Sequence, residues 1–70
     1  MKFRIEHEIR GRMRVHLFLK KMTFKEADIL QYYLKKNEFI TSVKVYERSC
    51  DAAICFKGNR KQVIEYLRRF

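Results

Sequence analysis

A two-residue alternation of apolar and polar side chains runs along residues 3–18 of this chain. The apolar side chains are mostly at odd positions and the charged ones at even positions, which is typical of a strand with one buried face. Because the phase continues across Gly11, we expect one long strand that bends or bulges there. A hairpin with a two-residue turn would favour Gly-Gly or Asn-Gly at the break, and neither pair is present.

Helical spacing follows the alternating segment. Residues 23–26 read Thr-Phe-Lys-Glu, which is the form of a capping box and predicts a helix that begins there. Ala27, Leu30 and Leu34 recur at helical spacing, so we expect them to face the sheet. Asn37 can end this helix in the left-handed conformation.

Two more strands and a second helix complete the chain. Residues 40–48 and 52–57 alternate again with a short connection between them, which predicts a hairpin. Asn59 follows Gly58 and can cap the last helix. The residues of this helix that we expect to face the core are Val63, Ile64, Leu67 and Phe70.

The order strand, helix, strand, strand, helix indicates an α+β fold. It predicts a single ferredoxin-like split β-α-β domain over residues 1–70, with both helices on one face of an antiparallel sheet. The closing edge strand would be missing or lie beyond these residues, so we expect an edge that pairs with a later strand or a second copy of the chain. We also expect the chain to be an N-terminal fragment of a longer protein.

Charge is the strongest functional indication in the composition. The chain has 17 Lys and Arg against 8 Asp and Glu, for a net charge of +9. Such an excess favours acidic partners, namely nucleic acid, anionic lipid headgroups or an acidic protein surface. The longest apolar run, residues 52–56, is far shorter than the ~20 residues that cross a bilayer, so we expect a soluble domain.

Several short motifs resemble one family. Residues 11–15 read Gly-Arg-Met-Arg-Val, and the likeness continues through residues 26–28, 33–34, 40–46 (Ile-Thr-Ser-Val-Lys-Val-Tyr) and 53–56 (Ala-Ile-Cys-Phe). This series is similar to divergent heavy-metal-associated domains, which form N-terminal cytosolic appendages of heavy-metal-transporting P-type ATPases. The resemblance implies a ferredoxin-like fold and a role in metal delivery or in regulation of the pump.

One departure from this family decides the expected chemistry. Metal-binding members carry Met-x-Cys-x-x-Cys between the first strand and the first helix, where two thiolates hold copper(I) or zinc. Residues 18–23 here read Phe-Leu-Lys-Lys-Met-Thr, so Lys20 and Lys21 stand where anionic ligands would be. A unit charge about 4 Å from a bound cation costs about 4 kcal/mol at an effective dielectric of about 20. We therefore expect no metal and no cofactor in this chain.

The histidines and cysteines give no alternative metal site. His7 lies in the apolar phase and His16 in the charged phase, so we expect a core or edge histidine and a solvent-facing one on opposite faces. Cys50 and Cys55 lack the C-x-x-C spacing of a zinc or redox site. We expect Cys50 to be a turn residue and Cys55 a small hydrophobe in a strand.

Catalysis has no support in the sequence. No Ser or Cys stands beside a plausible histidine base, and we expect Glu6 and Glu8 to form cross-strand ion pairs. The chain itself is expected not to be an enzyme, whereas the parent protein would be an ATP-driven metal cation transporter.

An RNA-binding module is the alternative, because RNA recognition motifs share the expected element order. These motifs stack bases on aromatic side chains of the two central strands. The uncovered sheet face here would carry arginines and His16 in the first strand and no aromatic ring. Arginines could still bind phosphates without sequence preference.

The leading hypothesis is a docking or regulatory domain of a heavy-metal P-type ATPase that has lost its metal ligands. We expect the domain to be cytoplasmic and tethered to a membrane protein. Its partner would be an acidic protein surface or anionic lipid headgroups. The expected contact residues are Arg10, Arg12, Arg14, Lys20 and Lys21.

Overall fold

The computed structural model describes residues 2–70 of the chain. These residues form four strands and two helices with short connections between them. The strands form one antiparallel sheet in the order β1-β2-β4-β3. The protein is therefore α+β, as predicted, in an arrangement compatible with a ferredoxin-like fold. The elements are β1 Phe3–Ile9, β2 Arg12–Leu17, α1 Phe24–Lys35, β3 Ile40–Tyr46, β4 Asp51–Phe56 and α2 Arg60–Arg68.

The expectation of one long first strand is wrong, because Gly11 reverses the chain between β1 and β2. Gly11 has a φ of +79°, which glycine adopts without steric cost, whereas Arg10 before it does not have a positive φ. This combination meets the requirement of a type II turn, which needs glycine only at the second central position. The single glycine is therefore sufficient, and no Asn-Gly or Gly-Gly pair is needed.

A bulge in β1 explains why the alternation continues through the turn. Ile9 pairs with Arg12, so odd residues of β1 next to the turn share a face with even residues of β2. The register then shifts between Ile5 and His7, which leaves the residue between them without an opposite partner. This shift brings Ile5 opposite Val15, on the apolar face. The turn and the bulge each reverse the alternation of apolar and polar side chains, and the two reversals cancel. The alternation therefore looks continuous in the sequence.

Strand β1 occupies the sheet edge that was expected to be open. It pairs with β2 on the side away from β4, where the closing strand of the expected sheet would lie. The observed order ββαββα therefore replaces the expected βαββα, and the expectation of a missing closing strand is wrong for this edge. Strand β3 forms the opposite edge.

The helix starts follow their predicted caps. The Thr23 hydroxyl accepts a hydrogen bond from the Glu26 amide at 3.1 Å, and the Glu26 carboxylate accepts one from the Thr23 amide at 2.9 Å. Asn59 caps α2 through its side chain. The expected left-handed end of α1 is wrong, because Lys36 is the C-cap with φ −65° and Asn37 has no positive φ.

The core lies between the two helices and one face of the sheet. Its side chains come from every element except β1, which adds the half-buried Phe3 and Ile5 at the margin. Within residues 2–70, neither helix is long and apolar enough to span a membrane. The largest fully buried side chains are Met13, Val15, Leu17, Leu30, Leu34, Ile54, Val63 and Leu67.

Two tyrosines join α1 to α2 by ring stacking and by two hydrogen bonds. The rings of Tyr33 and Tyr66 stack with their centroids 4.2 Å apart. The Tyr33 hydroxyl donates to the Tyr66 carbonyl at 2.8 Å, and the Tyr66 hydroxyl donates to the Tyr33 carbonyl at 2.7 Å. Phe70 packs on Tyr33 but is 39% exposed, so its expected place in the core is wrong.

Replacing Gly11 with alanine tests the hairpin turn. A Cβ atom on residue 11 would lie 3.3 Å from the Phe56 carbonyl oxygen. Residue 11 also holds a φ of +79°, which side chains other than hydrogen disfavour. We expect Gly11→Ala to lower the free energy of unfolding by about 1–2 kcal/mol, measured by urea denaturation. Arg10→Ala is the matched control in the same turn and should change it by less than about 0.5 kcal/mol. Equal stability of Gly11→Ala and the wild type would argue against this turn.

Candidate functional site

The sheet face opposite the helices, called the open face from here on, carries a dense group of basic side chains. The cross-strand register arranges these side chains in three rows that run from β1 through β2 and β4 to β3. The first row holds Arg4, His16, Asp51 and Tyr46; the second holds His7, Arg14, Ala53 and Lys44; and the third holds Ile9, Arg12, Cys55 and Ser42.

Asp51 is the one buried charged residue within residues 2–70, with 7% of its surface exposed. Its Oδ1 lies 2.7 Å from His16 Nδ1, and Arg14 Nη2 donates to its Oδ2 at 3.1 Å. Burial raises the pKa of Asp51, but hydrogen bonds from His16, Arg14 and Ser49 outweigh burial and lower the pKa below its usual value. The carboxylate is therefore ionised at neutral pH and holds the two basic side chains in place.

Arg14 connects this carboxylate to an aromatic ring. Its guanidinium carbon lies 4.9 Å from the centre of the Tyr46 ring, and Lys44 Nζ lies 5.4 Å from the same centre. Cation–π attraction adds to the ion pair in fixing these side chains over the sheet. Ala53, which lies between Arg14 and Lys44 in the second row, is only 8% exposed. The middle of the open face is thus a packed layer of polar side chains.

Arg12 differs from the other arginines of the open face. Arg4 and Arg14 have carboxylate partners, whereas Arg12 has none among residues 2–70. With His7, Ile9 and Arg14, it lines a depression between β1 and β2. Arg12 is exposed, so its guanidinium is free to bind an external anion.

The structure separates the five predicted contact residues into three places. Arg12 and Arg14 lie on the open face, as expected. Arg10 lies in the hairpin turn, so the expected row of three arginines on one strand is wrong. Lys20 and Lys21 are exposed in the loop beyond the other end of β2. In place of Arg10, Lys20 and Lys21, the open face carries Arg4, Lys44 and the two histidines.

The expectations for the two histidines are only partly met. His7 lies on the edge strand β1, one of its two expected places, but it is exposed, and it shares a face with His16 rather than lying opposite it because the bulge reverses the phase of β1. His16 is half-buried against Asp51 rather than solvent-facing.

The two strand glutamates do not form the expected cross-strand pairs. Glu8 points to the helix side, where Arg60 of α2 donates from Nε to Oε2 at 2.6 Å and from Nη2 to Oε1 at 3.1 Å. This bidentate contact raises the pKa of Arg60. Glu6 pairs with Arg4 of its own strand at 3.5 Å.

One cluster has the residue types of a metal site. Glu6, His16 and Asp51 place potential ligand atoms within 4.8 Å of one another. Arg4 contacts the Glu6 carboxylate and Arg14 contacts the Asp51 carboxylate, so a cation there would compete with two guanidinium groups. The donor set also lacks the thiolates that copper(I) prefers. The arrangement is that of an ion-pair network.

The two cysteine sulfur atoms lie apart from the loop that holds metal in heavy-metal-associated domains. Cys50 is a buried residue of the β3–β4 turn with a φ of +57°, and Cys55 lies in β4, so their predicted places are confirmed. Met22 contributes the sulfur of residues 18–23, and its side chain is buried with 6% exposed.

A cationic sheet face on a small α+β domain is the class of structure that these observations define. No protein-family model matches the chain, and neither a curated protein nor a solved structure matches it at a significant level. The geometry and charge of the described residues therefore supply the evidence for function.

Replacing Asp51 tests the ion-pair network. Because folding lowers the pKa of Asp51, its stabilising contribution is present above the unfolded pKa of about 3.9 and is lost as pH falls through the lower folded pKa. We expect Asp51→Asn to lower the free energy of unfolding by about 1–3 kcal/mol at about pH 7. The difference from the wild type should shrink towards about pH 2.

Urea denaturation at both pH values measures this difference. Glu38→Gln removes an exposed acid elsewhere and is the control, expected to change stability by less than about 0.5 kcal/mol. An Asp51→Asn difference that is the same at both pH values would show that the ionised carboxylate does not stabilise the fold.

Proposed function

We propose that this chain is a docking module of ferredoxin-like fold that binds an acidic protein surface through its open face. The observation that carries the proposal is the charge of that face, where four basic side chains and two histidines surround the carboxylates of Glu6 and Asp51, both of which are already paired. The face extends over four strands, which suits a macromolecule better than a small substrate. The proposal assigns no catalytic step to this chain.

The strand order supports the ferredoxin-like part of the proposal. Strands β2 and β3 flank β4 and run parallel to each other, with α1 connecting them, which is a split β-α-β arrangement. Strand β1 lies beside β2, at the edge that the closing strand of such a sheet takes. In this interpretation the closing strand comes from the start of the chain rather than from its end.

The resemblance to heavy-metal-associated domains suggests where such a module works. The Gly-Arg-Met-Arg-Val segment that carries the resemblance has a structural role at each position. Gly11 makes the turn, and Arg12 and Arg14 face outward. Met13 and Val15 are fully buried. We propose that the domain belongs to the cytoplasmic part of a heavy-metal-transporting P-type ATPase. Its partner would be an acidic surface of that pump, and its function regulatory rather than metal-carrying.

The positions of the aromatic rings favour a protein partner over RNA. The central strands β2 and β4 present no Phe, Tyr or Trp ring on the open face among the described residues, and the imidazole of His16 is paired with Asp51. The Tyr46 ring lies on the edge strand β3 and is contacted by Arg14 and Lys44. Base stacking needs an exposed ring face, whereas ion pairs with carboxylates need only the cations.

A titration with a polyglutamate peptide tests the proposal. We expect amide resonances of residues 12–16, 42–46 and 51–55 to shift together in NMR spectra, and binding to weaken as salt is added. Arg12→Gln should weaken binding about 5-fold, since an exposed charge pair contributes up to about 1 kcal/mol. Lys61→Gln on α2 is the control with the same change of charge and should have a smaller effect.

Two outcomes would contradict docking of an acidic protein. The first is a set of shifts spread over both helices with equal losses in Arg12→Gln and Lys61→Gln. The second is tighter binding of single-stranded RNA at the same salt concentration, with shifts on the same strands, which would favour the RNA-binding alternative.

A titration with zinc and copper(I) tests the non-metal part of the proposal. Lys20 and Lys21 are exposed cations in a loop without a thiol, so we expect no saturable amide shifts in residues 18–24. Saturable shifts confined to that loop would show that the domain carries metal after all.

A further inference from the structure

The loop from β2 to the first turn of α1, residues 18–24, displays large apolar side chains to solvent; we call it the tip loop. Phe24 is 75% exposed, Phe18 is 54% exposed and Leu19 is 37% exposed. Three of the seven large apolar side chains that are exposed within residues 2–70 therefore lie in this one short segment. The tip loop therefore resembles a contact surface.

The backbone around the tip loop is held in place. The Phe18 amide donates to the Lys2 carbonyl at 3.0 Å, and the preceding Leu17 amide donates to the Cys50 carbonyl at 2.8 Å. Met22 anchors the middle of the loop in the core, and Thr23 caps α1 at its end. The exposed rings thus project from a supported loop.

Lysines surround these apolar side chains. Lys20, Lys21 and Lys25 are exposed within or next to the tip loop, and Lys2 is bonded to it through its backbone. None of the four has an ion pair within residues 2–70. The first acid after the loop in the sequence, Glu26, turns its carboxylate back to the Thr23 amide. The loop is therefore both apolar and strongly positive.

An apolar groove continues from the tip loop along the domain. Phe18 forms part of its lining, together with Phe3 and Ile5 of β1 and Ile64 of α2. Lys2, Arg60 and Arg68 also line this groove. Apolar surface bordered by basic side chains thus extends beyond the loop itself.

We propose that the tip loop binds the headgroup region of an anionic lipid bilayer, with Phe18 and Phe24 inserted among the lipids and the lysines paired with lipid phosphates and carboxylates. Interfacial segments combine these two features, since binding strength adds buried apolar area to attraction by anionic lipids. Lysine stems also cover apolar surface while the ammonium groups stay in water. This inference does not depend on the acidic protein partner of the open face.

Sedimentation of the 70-residue chain with lipid vesicles tests the proposal. We expect binding to vesicles that contain phosphatidylserine and much weaker binding to phosphatidylcholine alone. Changing Lys20 and Lys21 together to Gln should weaken binding by about 25-fold, at about 5-fold for each lysine near the surface. Phe24→Ser should weaken it by at least about 10-fold, because an inserted ring is then lost.

Matched variants separate the tip loop from net charge. Changing Lys35 and Lys61 together to Gln removes the same charge from exposed positions on the two helices, and Tyr32→Ser removes a ring that is 69% exposed on α1. Both controls should retain binding within about 3-fold. Equal losses in the loop and control variants would overturn the proposal, as would no binding to phosphatidylserine vesicles at low salt.

A fluorescent reporter gives a second, independent measurement. The chain contains no tryptophan, so Phe24→Trp introduces a single one. Its emission should shift to the blue when phosphatidylserine vesicles are added, whereas that of Tyr32→Trp should stay unchanged. Bound protein with no blue shift at position 24 would show that the ring does not insert.

Discussion

Strand β2 separates apolar from basic side chains, and the rest of the structure depends on this separation. Met13, Val15 and Leu17 are completely buried, while Arg12 and Arg14 alternate with them on the open face. Because successive side chains of a strand point to opposite faces, one segment builds both the core and the basic surface. A register slip of one residue would bury the arginines and expose the core, so the pairing of β2 with its neighbours is strongly specified.

The buried carboxylate makes a basic sheet face compatible with a stable fold. Arg14 of β2 and Lys44 of β3 approach the same Tyr46 ring, so two cations lie close together. Asp51 pairs with Arg14 and compensates part of their mutual repulsion, because its lowered pKa keeps it charged. The same contacts hold the side chains in fixed positions, which reduces the entropy that binding an acidic partner would otherwise cost. Arg12 has no such partner among residues 2–70, so its guanidinium is available to bind an external anion.

Local signals made part of this structure predictable from the sequence. The caps at Thr23 and Asn59, the apolar stripes of both helices and the β3–β4 hairpin depend on residues close in the chain. The Gly11 turn and the bulge in β1 were not predictable, because each reverses the alternation and their effects cancel in the pattern. The contact of Asp51 with His16 joins residues 35 positions apart and depends on the register between β2 and β4. Alternation along β4 does place Asp51 on the face of Ala53, but not beside any particular partner.

The two proposed surfaces meet at Phe18, and this gives them a common geometry. Arg4 of the first row lies 5.9 Å from the centre of the Phe18 ring, and the His16 ring packs edge-on against the same ring. The tip loop follows the end of β2, so a domain resting on a bilayer through this loop would stand with β2 rising from the lipid surface. Its open face would then stand roughly upright on the lipid surface rather than lie against it. Lipid contact through the tip loop would thus leave the open face accessible to a protein, and the two contacts would strengthen each other through raised effective concentration.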